Sequence, residues 1–535
     1  MRLLKPIYLS AAIALALTSC GGAKVAISHD AITDVNNLPK RTSTLSEAQL
    51  QRWSHLDILR DTVPGMSVDR AYEELLKNRK LPKKVIVGVI DSGVEIDHDD
   101  LKNHIWVNTK EVASNGIDDD KNGYIDDIHG WNFLGKSNHE NLEFVRVIKR
   151  GDDGSEQYKR ALEKHKEEIS ELEVNKQRVL SAAPFNQHDI LSKHFGKEDY
   201  TIKDLDGITD SDSEELRNAK EDMYSAIESG TFSRILGYKQ YLDSQLNYHL
   251  NLEFNGRELV GDDHTNINDK IYGDNDVLGD REHAKHGTHV AGIIAQSRHN
   301  NLGGDGVASD VTEIMAVRAV PDGDEYDKDI ALSIRYAADN GAKVINGSFG
   351  KYFEENSQWV RDAIKYAEEK DVLIVVAAGN DAMDLNANGG VERYPNDNTK
   401  MGPEIANNFL VVGALNPEFS SNMVASFSNY GNYDVDVFAP GSKIYATVPN
   451  NTYEYLQGTS MASPNVAGVA ALVRAYYPEF TAGEVKKIIM DSGVPVNKEV
   501  AVGSETRNFS DISTSGKMVN AYNALILADK LSKKK

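Results

Sequence analysis

Three residues far apart in this chain are of the types that together carry out nucleophilic attack on a carbonyl. Asp91 ends "VIVGVID", His286 stands in "AKHGTHVAGIIAQ" and Ser460 stands in "YLQGTSMASP". A serine hydroxyl is a weak nucleophile until a base takes its proton, and an imidazole serves as that base when a carboxylate orients it and stabilises its charged form. Ser460 also has a plainer reading, because a serine that opens a helix commonly caps it by accepting a hydrogen bond from an early N–H. The two roles coexist if the hydroxyl is committed to His286 while the helix N-terminus behind it favours a developing oxyanion. Pro464 is expected in the first helical turn, where its missing N–H costs little.

Such residues need a frame that brings them together. "VIVGVID" is an uninterrupted apolar run, the pattern of a parallel strand buried on both faces. "EIMAVRAV", "AKVINGSFG", "VLIVVAAGN" and "NFLVVGA" repeat that pattern, separated by helical stretches such as "DIALSIRYAADNG" and "SQWVRDAIKYAEEK". The alternation predicts an α/β fold with a mostly parallel central sheet and helices on its faces. Functional groups in such sheets collect beyond the carboxyl ends of the strands, where Asp91 and the asparagine of "AAGN" both fall.

Residues 145–250 have a different texture. Tyr158, Leu162, His165, Ile169, Leu172, Lys176 and Val179 recur at four- and three-residue spacing, and Leu216, Met223, Ile227, Ile235, Tyr238, Leu242 and His249 continue in stripes. This predicts a charged helical arm inserted into the α/β domain, its His and Met residues belonging to the seam. Residues 20–83 read as an extension, either packed on the main domain at 84–535 or a removable inhibitory propeptide. His289 reads as a buried structural residue, His283 as a solvated loop residue, and Asp97, Asp99 and Asp100 as surface acids.

"DSGV", "HGTHVAGI" and "GTSMASPNVAG", in that order, resemble the three catalytic segments of the subtilisin-like serine proteases (subtilases), whose chain order is Asp, His, Ser. The resemblance runs from about Lys84 to the C-terminus, apart from the helical insert. It implies a subtilisin-like fold and a serine endopeptidase acting on peptide or protein substrates through an acyl-enzyme, with Asp91, His286 and Ser460 as the triad. "AAGN" resembles the oxyanion segment, which makes Asn380 the side-chain donor. The same resemblance sets Ser348, Phe349 and Gly350 on one wall of the specificity pocket and Ala377, Ala378 and Gly379 on the other. The departure is spacing: Asp91 and His286 are about 195 residues apart, far more than in compact subtilases. Triad geometry survives if the insert leaves and rejoins the fold at adjacent points, and the arm then emerges near the cleft.

"NGIDDDKNGYIDDIHGWNF" spaces Asp118, Asp120, Asn122, Tyr124 and Asp126 like the oxygen ligands that open a calcium loop, with the turn glycine at position 123. Its twelfth position is His129 rather than glutamate, so Asp126 or Asp127 is expected to close the shell. An unliganded acidic turn is the alternative, and "YGDNDVLGD" is a second candidate segment. No organic cofactor is expected.

At 535 residues the chain exceeds what one compact core usually serves, and 40% apolar with 26% charged residues is ordinary globular composition. A net charge of −23 argues against a nucleic-acid-binding surface, which needs clustered Lys and Arg. Arg2 and Lys5, an apolar run from Ile7 to Leu17 and the closing "LTSC" predict an export signal over residues 1–19. "LTSC" resembles the bacterial lipoprotein box, which makes Cys20, the single cysteine, the lipidated residue and predicts a membrane-anchored protein of the bacterial cell envelope, on its periplasmic or outward face. A plain signal peptide is the alternative. Two other functions stay open: a binding or scaffold lipoprotein on a silent protease domain, and a dedicated processing protease for one partner protein.

Overall fold

The computed structural model describes residues 29–38, 41, 43–198, 200–386, 392–398 and 402–535. Cys20 and the segment read as an export signal lie outside the described residues. Among the described residues no helix is long and apolar enough to cross a membrane.

Seven strands form the parallel sheet: β1 (Val85–Asp91), β2 (Gly130–Asn132), β3 (Thr312–Arg318), β4 (Val344–Gly347), β5 (Leu373–Ala377), β6 (Phe409–Leu415) and β7 (Val437–Pro440). Their spatial order is β2-β3-β1-β4-β5-β6-β7. Lys517–Met518 extends the sheet in parallel and Val494–Pro495 ends it antiparallel. Every residue of β4 to β7 is buried, which is why those strands carry Val, Ile, Leu and Phe without polar alternation.

The helices used below are α1 (Glu143–Lys149), α2 (Glu156–Leu180), α3 (Ala183–Phe195), α4 (Glu214–Glu228), α5 (Thr231–Ser244), α6 (Lys285–Ala295), α7 (Asp327–Asp339), α8 (Ser357–Glu369), α9 (Thr459–Tyr476) and α10 (Ala521–Ser532). The pair α6 and α9 covers one face of the sheet, and the pair α7 and α8 the other.

Helices α1 to α5, closed by a π turn at Gln245–His249, form the inserted arm. Its root is a small core that holds Phe144, Leu172, Val179, Phe185 and Leu242 with Phe353 of the main domain; a separate core near its tip gathers Leu191, Leu205, Ala219 and Met223. The seam read from sequence needs correction at Leu162, which is exposed, while its neighbour Ala161 is fully buried. A strict 3.5-residue repeat drifts around a straight helix of 3.6 residues per turn, and α2 packs against short partners rather than one long one. Tyr238 is likewise exposed.

The described part of the extension belongs to the main core. Trp53, Ile58, Val63, Met66 and Val68 are buried in it, and the Trp53 indole N–H donates to the Ser442 carbonyl at 3.0 Å. Asn523 of α10 clasps both the N–H and the carbonyl of Ile32 at 2.8 Å. No described residue of 29–83 lines either pocket of the cleft described next.

Candidate active site

Strand β1 delivers Asp91 at its carboxyl end, and α6 sets His286 directly over it. His286 Nδ1 lies 2.7 Å from Asp91 Oδ1, which also accepts the Ser92 N–H at 2.8 Å. The approach depends on Gly287: a Cβ there would sit 2.2 Å from the Gly93 carbonyl oxygen and 3.0 Å from Asp91 Cβ. Burial works against a charged imidazole, but the Asp91 charge and its hydrogen bond outweigh it, so His286 titrates above the usual histidine value. With Nδ1–H donated to Asp91, Nε2 is the nitrogen free to take a proton. His289, three residues on, is fully buried; its Nε2 lies 3.1 Å from the Ile444 and Glu454 carbonyls, and burial lowers its pKa to about 3. It is a structural residue.

Ser460 lies at the start of α9, behind Gly458, whose φ of +151° suits glycine. The Ser460 hydroxyl donates to the Ser348 carbonyl at 3.1 Å, not to His286. The expected commitment to His286 is therefore unmade in this state. A rotation about χ1 moves the oxygen between staggered positions, and catalytic hydrogen bonds are commonly loose without substrate. Pro464 also differs from expectation, since it sits in the second helical turn. Lacking an N–H, it leaves the Ser460 carbonyl without its helical donor, and Ser348 Oγ fills that vacancy at 2.8 Å. Behind it, Asn346 Nδ2 donates to Ser348 Oγ and Ser463 Oγ donates to Asn346 Oδ1.

Asn380 follows β5 and is held by its carbonyl end: Oδ1 accepts from Thr459 N at 2.8 Å and Thr459 Oγ1 at 3.0 Å. That orientation leaves Nδ2 as a free donor beside the N–H of Ser460, which has no intrahelical acceptor at this position of the helix. A Cβ on Gly458 would lie 3.5 Å from both nitrogens, so the two donors flank one point. Asn429 fastens the loop beyond Asn380 by donating to the Ala378 carbonyl and accepting from Asp381 N and Met383 N. Sequence reading missed Thr459, Ser463, Asn346 and Asn429. Thr459 and Ser463 lie inside the quoted serine motif and Asn346 inside "NGSFG", whereas nothing local marks Asn429.

Two pockets meet at this point. One of about 550 Å³ is lined by Asp91, His286, Asp322, Ser348, Phe349 and Gly350. The other, of about 420 Å³, is lined by Ser460, Asn380, Ala377, Gly379, Phe349 and Gly350, together with Phe144, Lys164 and Glu168 of the arm. Ala378 is corrected here: it is fully buried with its carbonyl turned to Asn429, and Ala377 and Gly379 form that wall. Arg393 closes the second pocket under Gly350, donating to the Phe349 and Pro395 carbonyls. The arm joins the wall through buried charges: Lys351 Nζ lies 3.0 Å from Glu143 and 2.9 Å from Asp327, and Arg146 also grips Glu143. Burial opposes the Glu143 carboxylate, but those cations hold its pKa down to about 2.

The acidic loop folds differently from its sequence reading. Of the five expected ligands, Asp120 alone joins the acidic cluster formed by Glu111, Asp120 and Asp127, whose oxygens lie within 4.8 Å of one another. Asp126, at φ +54°, turns its carboxylate onto the N–H groups of Asn115 and Gly116. Asp118 caps Asn122 and Gly123, Asn122 Oδ1 accepts from Tyr124 N, and the Tyr124 ring packs on Trp131 and Tyr336. Three buried or half-buried carboxylates fit a hard divalent cation of the calcium type. In "YGDNDVLGD", Asp274 and Asp276 are spent capping turns. Asp100, read as a surface acid, is fully buried and accepts from Ser297 N and Asn300.

The chain is similar to known proteins. The chain is 44% identical over 189 residues to the thermophilic serine proteinase of Bacillus sp. (strain AK1), a match covering 35% of this chain and 42% of that one. It is 32% identical over 262 residues to subtilisin-like protease 1 of Plasmodium falciparum (isolate 3D7), covering 47% and 38%. Subtilisin DY of Bacillus licheniformis is 37% identical over 202 residues, covering 38% of this chain and 67% of that protein. The chain thus spans less than half the length of the first two of these relatives. Residues 82–510 match the subtilase family (peptidase S8), and with Asp91, His286, Asn380 and Ser460 assembled at one cleft within that span, the chain belongs to this family.

Proposed function

We propose that the protein is a serine endopeptidase, exported and lipid-anchored at Cys20 to a membrane of the bacterial cell envelope, and stabilised by calcium. The observation that carries the catalytic reading is the 2.7 Å contact between Asp91 and His286, made across 195 residues of chain, with Ser460 lining the adjoining pocket. Substrate entering the cleft displaces the Ser460 hydroxyl from the Ser348 carbonyl toward His286 Nε2. His286 takes the proton, Ser460 Oγ attacks the peptide carbonyl, and the oxyanion is received by Ser460 N–H and Asn380 Nδ2. His286 then returns the proton to the leaving amine, and water reverses the sequence to release the acyl group. Calcium at Glu111, Asp120 and Asp127 would hold the loop and takes part in no step. The described extension is read as a stabilising part of the domain, since it buries apolar side chains and lines neither pocket.

A serine-directed fluorophosphonate tests this on protein lacking residues 1–20. Labelling is expected in the wild type and absent from Ser460→Ala and His286→Ala; no labelling of folded wild type would sink the reading. A chelator is expected to lower the melting temperature, and an unchanged melt would remove calcium from the account. Labelled fatty acid is expected in the wild type but not in Cys20→Ala.

The second reading, a processing protease of narrow specificity, is favoured by Phe144, Lys164 and Glu168 of the arm lining the pocket that holds Ser460. A peptide-library profile with one sharply preferred sequence would support it, and broad cleavage would remove it.

A further inference from the structure

We propose that His139, His249 and Asp322, at the root of the arm, form a binding site for a divalent first-row transition metal ion such as Zn²⁺. The three come from separate segments: His139 precedes α1, His249 ends the π turn that closes the arm, and Asp322 follows β3. Backbone hydrogen bonds fix them to one another. Glu140 N donates to the Asp322 carbonyl and Asp322 N to the Asn138 carbonyl, each at 2.8 Å, and Leu142 N donates to the His249 carbonyl at 3.1 Å.

The side chains converge at ligand spacing. His139 Nδ1 is 3.0 Å from Asp322 Oδ2, His249 Nε2 is 3.3 Å from Asp322 Oδ1, and one ligand atom of each residue lies within 4.8 Å of the others. Two ligands on a tetrahedral zinc, each at about 2.0–2.1 Å, stand roughly 3.3 Å apart. Two imidazoles and one carboxylate are a donor set that suits zinc and its neighbours better than calcium.

His249 supplies the independent observation. It is 4% exposed, and neither of its ring nitrogens makes a hydrogen bond. Its Nε2 is close to the Asp322 carboxylate without being aligned on it, as for two ligands aimed at a common third point. A metal-free network of His139, Asp322 and His249 leaves a buried imidazole unsatisfied at both nitrogens, which costs stability. An ion takes up one of them. The supporting contacts are of the kind that orient metal ligands: His139 stacks on Tyr248 with ring centroids 4.0 Å apart, His283 meets it edge-on, and Ser244 Oγ donates to Asp322 Oδ2 at 2.9 Å. The π turn that ends at His249 is a rare element concentrated at functional sites. Asp322 is 40% exposed, which gives an ion a way in from solvent.

Asp322 also lines the pocket that contains Asp91 and His286. A bound ion would pin the return of the arm to the rim of the cleft, and this holds whether or not the chain is proteolytic. The test uses the full chain lacking residues 1–20, stripped with a chelator and kept in millimolar calcium so that the acidic loop is supplied. Zn²⁺ is titrated against a chromophoric chelator, and Co²⁺ is followed by its visible absorption. One zinc per chain is expected, retained in His286→Ala and weakened at least about tenfold in His249→Ala and in the isosteric Asp322→Asn. Circular dichroism without zinc checks the fold; if His249→Ala unfolds, Asp322→Asn and His139→Gln decide. Failure of folded wild type to bind zinc stoichiometrically would overturn the proposal, as would equal binding by Asp322→Asn and His139→Gln. Zinc lost in His286→Ala but kept in those two variants would assign it to the catalytic pair and overturn it as well.

Discussion

The parallel-sheet domain and the helical arm solve the same problem of placing side chains in opposite ways. In the sheet domain one continuous apolar core buries strands β4 to β7 completely, and the groups proposed to react sit at strand ends and helix starts whose backbone is fixed by that core. The arm has two small separate cores and long charged faces, and its contacts with the domain include Phe144 on Phe353 and the buried Glu143–Lys351 pair. A reaction that fails when an atom moves by about an ångström belongs on the first kind of scaffold. A wall that shapes access tolerates the second kind. The difference implies that damage in the sheet domain's site abolishes chemistry while leaving the fold intact, whereas damage in the arm changes stability or selectivity first.

The most severe test of that contrast is removal of the nucleophile or the base. Ser460→Ala and His286→Ala are each expected to lower kcat by about 10⁶-fold, the loss established for subtilisin and carried over through the family. The melting temperature should hardly change, and a large drop would mean that the site also supports the fold. Asp91→Asn comes next, at roughly 10⁴-fold, and carries a signature in pH. His286 must be neutral to act, and Asp91 raises its pKa, so wild-type kcat/KM should fall as pH drops through a value above 6.5. In Asp91→Asn that acid limb should move to lower pH; an unmoved limb would assign it to another group. Asn380→Ala removes one oxyanion donor and should cost about 10²–10³-fold in kcat with KM little changed.

Effects in the arm should be smaller and of another kind. Glu143→Gln leaves Lys351 and Arg146 short of a buried counter-charge and should cost about 3 kcal/mol in a denaturant melt. Glu143 has a folded pKa of about 2 against an ordinary 4.5, so its contribution is complete above 4.5 and lost as pH falls toward 2. Within α2, Leu172→Ala should cost about 2–3 kcal/mol, while Leu162→Ala, at a position 42% exposed, should stay within about 0.5 kcal/mol. Equal costs at the two positions would restore the regular seam.

Much of the site was legible because its chemistry lies in short contiguous motifs. The glycine that lets α6 approach Asp91 adjoins His286, and the threonine that orients Asn380 adjoins Ser460. The acidic loop was misread for the converse reason. Glu111 lies upstream of the spaced oxygens, and a left-handed turn at Asp126 sends a nominal ligand the other way. The seam of α2 was misread at Leu162 because its periodicity fixes a helix but not which neighbours cover it.

By itself the sequence determined the kind of fold, the existence of the arm and which residues are proposed to react, since apolar runs, helical stripes and motif glycines are local properties. The tertiary structure alone decided that Asp91 and His286 meet across 195 residues, that Ser460 rests on the Ser348 carbonyl, and that His139, His249 and Asp322 converge at the root of the arm. Those meetings depend on which buried faces pack together, and packing between distant segments leaves no mark in the spacing of neighbours along the chain.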